Sequence, residues 1–282
     1  MNRLVTLGLS AVLVLGACGG DDKKDVAASK RETTTDASTS TSTAAGGTDS
    51  TAAGGSAPQA GTTKKSGSGG GSSGGGGGQA AAQPATPAGI KAAAPGTYTY
   101  KVTGTRTVGA PTPQKVDSTS TLKVDPLQGT DQHSSEQGDD GGGETVLRYQ
   151  ADGVYLVNLK LTGPITKEFK LAPPGLAFPQ PATVGKAWGW SAVSTDGKTT
   201  VNSNFKILRT ETIQIGGEAV PTVVVETAVT TDGDVKSTSN GTMWVSEAYR
   251  LIVREDGKIS GTYGGFAFSG DTSSVMQSTK PT

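Results

Sequence analysis

Ala151-Asp152-Gly153-Val154-Tyr155-Leu156-Val157-Asn158-Leu159-Lys160-Leu161 places a turn signal directly before a run of alternating side chains. Asp-Gly tolerates the positive φ angles of a tight hairpin, so it marks where one strand ends and the next begins. Beyond it, Tyr155, Val157, Leu159 and Leu161 fall two apart and predict one buried strand face. The same grammar recurs in both directions. Upstream, Tyr98, Tyr100 and Val102 alternate with Thr99, Lys101 and Thr103, and Leu122 and Val124 with Thr121 and Lys123. Downstream, Val201, Ser203, Phe205 and Ile207 repeat the period, and Val223, Val224 and Val225 read as a central strand, apolar on both faces. Asp232-Gly233 and Asp256-Gly257 are further hairpin signals. The second is expected to fold Tyr249, Leu251 and Val253 against Ile259, Gly261 and Tyr263.

Elsewhere the pattern lapses. Residues 164–186 carry Pro173, Pro174, Pro179 and Pro181 and read as a long loop with room for one helical turn. Residues 128–143 are polar and end Asp139-Asp140-Gly141-Gly142-Gly143, which predicts an edge strand followed by a mobile hairpin tip. Gly261, Gly264 and Gly265 read as a bend in the last strand. No segment shows a capped helical stripe. The total is about ten strands joined mostly by short turns, and a meander of that size must curl, split or close. The expected fold is all-β, an antiparallel meander forming a curved half-barrel or open barrel, with a β-sandwich as second choice.

Before residue 95 the text is of another kind. Met1-Asn2-Arg3 is a short positive start, and Leu4 to Leu15 is apolar but too short to span a bilayer, as in a signal peptide. Leu15-Gly16-Ala17-Cys18 follows and resembles the lipobox of bacterial lipoproteins. That resemblance implies cleavage before Cys18 and attachment to the cell membrane on its extracytoplasmic face, through palmitate-class acyl chains on Cys18. Gly19, not Asp, follows the cysteine, so the familiar inner-membrane retention signal is absent. From Gly19 onward Ser, Thr, Ala and Gly dominate, including an unbroken Gly74–Gly78 run. Such text buries too little apolar surface to offset its chain entropy. As a flexible coil it spans roughly 50 Å. The expected organisation is a signal peptide at 1–17, lipidated Cys18 and a disordered tether at 18–94, a β-rich domain at 95–270 and a polar tail at 271–282.

Composition narrows the function classes. The formal net charge is zero, which argues against a nucleic-acid partner. A single cysteine allows no intrachain disulfide. A single histidine, His133, has Asp131 on its own strand face and Glu136 on the other, short of the three or four ligands a metal site needs. Asp139 and Asp140 lack the alternating oxygen ligands of a calcium loop. No nucleophile elbow, P-loop or dinucleotide fingerprint is present. The chain therefore reads as a non-enzyme with no cofactor and no metal.

The aromatic residues supply the site candidates. Trp188 and Trp190 share a strand face, and with Tyr98, Tyr100, Phe205 and Trp244 they are candidates to line a cavity, or else form the core. Pro95-Gly96-Thr97-Tyr98-Thr99-Tyr100, Val184-Gly185-Lys186-Ala187-Trp188, Gly217-Glu218-Ala219-Val220, Thr222-Val223-Val224-Val225, Met243-Trp244-Val245 and Tyr249-Arg250-Leu251-Ile252-Val253-Arg254 occur in an order that resembles an uncharacterised family of bacterial envelope β-domains. These are distantly similar to the half-barrels of lipoprotein and lipid carriers. The resemblance implies a curved sheet whose concave face holds a lipid or other hydrophobic ligand, and it brings no catalytic residues. The alternative is a protein–protein adaptor or structural surface lipoprotein of unknown partner.

Overall fold

The computed structural model describes residues 91–109, 112–139, 141–163 and 165–282. The signal peptide, Cys18 and nearly all of the tether lie outside the described residues, as does Asp140. The described chain is all-β. Its twelve strands are β1 (Gly96–Val108), β2 (Gln114–Val124), β3 (Asp131–Gly138), β4 (Gly141–Gln150), β5 (Gly153–Thr162), β6 (Lys167–Pro179), β7 (Ala187–Val193), β8 (Thr199–Ile215), β9 (Glu218–Gly233), β10 (Val235–Ser246), β11 (Leu251–Tyr263) and β12 (Phe266–Met276).

All belong to one antiparallel sheet in the order β6-β5-β4-β3-β2-β1-β12-β11-β10-β9-β8-β7. The sheet rolls into a nearly closed barrel, because β1 pairs with β12 and the two edge strands, β6 and β7, meet. Between those edges the ladder fails. One isolated bridge joins Phe169 to Ser194, and the Thr195 N–H donates to the Glu168 carbonyl at 2.7 Å. The prolines explain this seam. Pro173, Pro174 and Pro179 have no N–H to donate, so β6 sits where only one side needs pairing. The loop expected over 164–186 is thus mostly an edge strand.

Packing replaces the missing ladder. Gly175 on β6 backs onto Trp190 of β7, and a Cβ there would lie 2.8 Å from Trp190 Cγ. Trp188 stacks on Phe205 at 5.4 Å and meets Phe178 edge-on at 6.4 Å. At one end of the seam the buried Lys167 ammonium bonds Asp196 at 2.7 Å and Asp234 at 3.1 Å. Burial by itself lowers the Lys167 pKa, but the two carboxylates outweigh it and hold the group above its ordinary value.

Other expectations need correction. Asp256-Gly257 does not turn: β11 runs straight through it, and the chain reverses at Gly264-Gly265, with φ of 56° and 86°. Two glycines satisfy the positive-φ turn at least as well as Asp-Gly, so what was read as a bend is the hairpin. The polar tail is no tail up to Met276: β12 lies between β1 and β11, and farther on Thr282 exchanges backbone hydrogen bonds of 3.0 Å with Thr97. β3 is not an edge but lies between β2 and β4. In β5 a bulge around Val157 shifts the phase, so the buried face is Val154, Leu156, Leu159 and Leu161. Tyr155 and Val157 stand out of it. The domain also begins earlier than residue 95, since Ala93 is buried and its N–H and C=O both bond the Gln132 amide.

Candidate functional site

A cavity of about 170 Å³ lies inside the barrel, walled by β1 to β6, β10 and the turn from β10 to β11. Its apolar wall includes Leu122, Leu147, Leu159, Leu161, Phe178 and Ile252. Strand alternation aims these side chains inward, and the β5 bulge brings Leu159 and Leu161 into phase with Leu156. Exposed Glu247 and half-buried Arg250, both in the β10–β11 turn, stand on its rim.

The rim is built from polar groups. Arg250 adopts φ 58°, a left-handed conformation uncommon for a residue other than glycine, and its N–H donates to the Ser246 carbonyl at 2.8 Å. With the Gln180 amide turned oxygen-first, that oxygen accepts from Arg250 Nη2 at 2.8 Å. Arg250 Nε is buried without a hydrogen-bond partner among the described residues. Nearby, Tyr149 donates to Gln132 Oε1 at 2.9 Å, and burial pushes its phenol up to about 12. Gln132 Nε2 donates to the carbonyls of Ala93 and Asp125 at 2.9 and 3.0 Å, so the chain entering the domain is pinned beside the cavity.

Deeper in, Tyr100 is fully buried and donates to the Ile252 carbonyl at 2.9 Å. Burial first, then the carboxylates of Glu136 and Glu255, raise its phenol well above the ordinary value. Glu136 lines the cavity; Glu255 is buried on β11.

Of the aromatic candidates, Tyr100 lines this cavity. Tyr98 is buried in a second cluster with Ile215, Val220 and Trp244, its hydroxyl donating to the Ala94 carbonyl at 2.9 Å. Trp188, Trp190 and Phe205 pack the core on the seam side. Trp244 is one residue out of phase: its neighbours Met243 and Val245 line the cavity, while its indole N–H bonds Glu211 and its ring lies under Arg254 at 4.5 Å. The sequence marked the right strand and the wrong face, because size drew attention to the tryptophan while parity selected its neighbours. Arg250, Gln132 and Glu136 carried no signal beyond their polarity. His133 is exposed opposite Val146, and Asp131 beside it accepts a bidentate pair of 2.8 Å bonds from Arg148, which lowers its carboxyl pKa.

No family model matches the chain, and no curated protein matches it. A solved structure with a similar fold is the hypothetical lipoprotein YmcC from Escherichia coli (K12). It aligns at 13% identity and a TM-score of 0.31, over 67% of this chain and 90% of that one. A likeness this weak carries no argument about function.

Proposed function

We propose that the chain is a non-catalytic lipoprotein, anchored through Cys18 on the extracytoplasmic face of the cell membrane, whose barrel binds the apolar part of an amphiphilic envelope molecule. The cavity carries the reading. Its wall is mostly apolar and polar side chains stand at its edges, the combination that holds an amphiphile. Size limits the ligand. An engineered cavity of about 150 Å³ takes one benzene, so about 170 Å³ accepts a small ring or one short alkyl chain, not a bundle of long acyl tails. The lipobox-like Leu15-Gly16-Ala17-Cys18 supports the anchor.

Native mass spectrometry of the protein extracted from its own membrane tests both halves. The expected spectrum shows acylated Cys18 at the mature N-terminus and a discrete small adduct that disappears on organic extraction. An unmodified Cys18 overturns the anchor, and a bare mass at every gentle condition overturns the ligand.

A second reading has an observation of its own. β2 pairs with β3 only over Thr121–Val124, so among the described residues its Gln114–Ser120 stretch has no ladder partner on that side. A free strand edge can accept a strand from another protein. Crosslinking that recovers one specific partner through Lys115, with no small adduct in the spectrum, favours this adaptor role.

A further inference from the structure

The inner face of the barrel changes character just beyond the cavity. Tyr100 and Met243 line the cavity, and their ladder partners on the adjacent strands are Ser120 and Glu255. From Glu255 the register continues to Ser274 on β12, Val102 on β1 and Ser118 on β2. Ladder partners share a sheet face, so Ser118, Ser120, Ser274 and Glu255 form one patch inside the wall. Ser120 is 0% exposed, and Ser118 and Ser274 are each 4% exposed. None of these three hydroxyls has a hydrogen-bond partner among the described residues.

One layer on, the buried Thr227 hydroxyl is also unpartnered, and its register partners are Gly241 and then Gly257. No atom comes closer than 4.0 Å to a Cβ placed on Gly257, so this position has room for an added atom. A buried hydroxyl left unpaired is costly, and alanine in its place carries no such cost. Several of them gathered beside a cavity point to a polar partner from outside the chain.

We infer that this layer receives the polar head of the ligand, an uncharged polyhydroxylated group such as a sugar, while the apolar part fills the cavity. The inference rests on the binding role proposed above and specifies its ligand class. Serine hydroxyls donate and accept, which matches a polyol's own hydroxyls. An anionic head would lie beside the carboxylates of Glu136 and Glu255, a like-charge arrangement. A bare ammonium offers only donors and leaves the serine donors unmet.

The test uses the full chain carrying Cys18→Ser, purified without detergent, and calorimetric titration with hexyl glucoside, 1-hexanol, hexanoate and hexylamine. The expected result is saturable binding of hexyl glucoside, about tenfold tighter than 1-hexanol and tighter than either charged probe. In a Ser118→Ala/Ser120→Ala/Ser274→Ala variant that advantage over 1-hexanol disappears while 1-hexanol binds as before. Should the variant not fold, the comparison of the four probes on the parent chain still decides. Equal affinity for hexyl glucoside and 1-hexanol overturns the inference and leaves water as the hydroxyls' partner, and tighter binding of hexanoate or hexylamine also overturns it. Failure of all four probes to bind removes the binding role itself.

Discussion

The two sides of the barrel are held together differently. Around the seam, strands β4 to β10 meet over Leu156, Phe169, Trp190, Phe205 and Ile207, all buried and mutually packed. Across the barrel, the inner face of β1, β2, β11 and β12 carries Gly104, Ser118, Ser120, Gly257 and Ser274. The first side lacks a continuous hydrogen-bond ladder between β6 and β7; the second has an unbroken one from β2 through β1 and β12 to β11. Aromatic side chains of three strands interlock where backbone pairing is missing; where it is complete, the inner face beyond Tyr98 and Tyr100 runs on in small hydroxyl and glycine positions. Burial of apolar area substitutes for the ladder on one side, and on the other the ladder itself frees the interior for space and polarity.

The largest effect should come from emptying the packed side. Phe169→Ala removes a fully buried ring at the Phe169–Ser194 bridge that crosses the seam. It should cost about 3–5 kcal/mol in urea unfolding. A loss below about 1 kcal/mol would mean that the seam does not depend on packing.

A smaller cost is expected from crowding the same place. A Cβ at Gly175 would meet Leu171 at 2.7 Å and Trp190 at 2.8 and 2.9 Å, and neither the ring nor its Cβ can step aside freely. Gly175→Ala should destabilise by about 1–3 kcal/mol. On the opposite side Gly257→Ala meets open space at an ordinary φ and should stabilise by about 0.4–1 kcal/mol through the unfolded chain. Thermal melts of the two variants must move in opposite directions, and a common direction breaks the comparison.

The smallest effect is electrostatic and local to the seam. Hydrogen bonds from Lys167, then Ser194 and the Lys198 N–H, hold the Asp196 carboxyl far below its ordinary range. A carboxylate depressed in the folded state contributes stability above its unfolded pKa, about 3.9, and that contribution is lost as pH falls from there toward the folded value. Exchange of the Thr195 amide, which bridges the seam, should therefore accelerate below about pH 4 relative to its intrinsic rate. Between pH 5 and 8 it should show no such change. Protection that is flat down to pH 2 would mean that the ion cluster does not hold the seam.

Much of the fold was legible because alternation is a local property. Tyr98-Tyr100-Val102 and Val201-Phe205-Ile207 are buried faces as their spacing requires, and Val124 is buried with Leu122 half-buried beside it. The misread elements are β6, taken for a loop, β3, taken for an edge strand, and most of β12, taken for a tail, and they share one reason: prolines, glycines and polar residues read as loop or edge text, yet an edge strand tolerates proline and a strand already paired on both sides needs no large side chains. The candidate site was legible only in part. Tyr100 lines the cavity, but Trp244 faces away from it and Trp188 and Trp190 stitch the seam.

By itself, then, the sequence determined an all-β antiparallel meander and the lipobox-like start, because turn chemistry, alternation and short motifs reside in neighbouring residues. Tertiary structure alone decided which strands meet at the seam, which Asp-Gly continues as strand, and which face of β10 meets the cavity. Those outcomes depend on bulges and on register summed around twelve strands, where a shift of one residue turns every side chain to the other face.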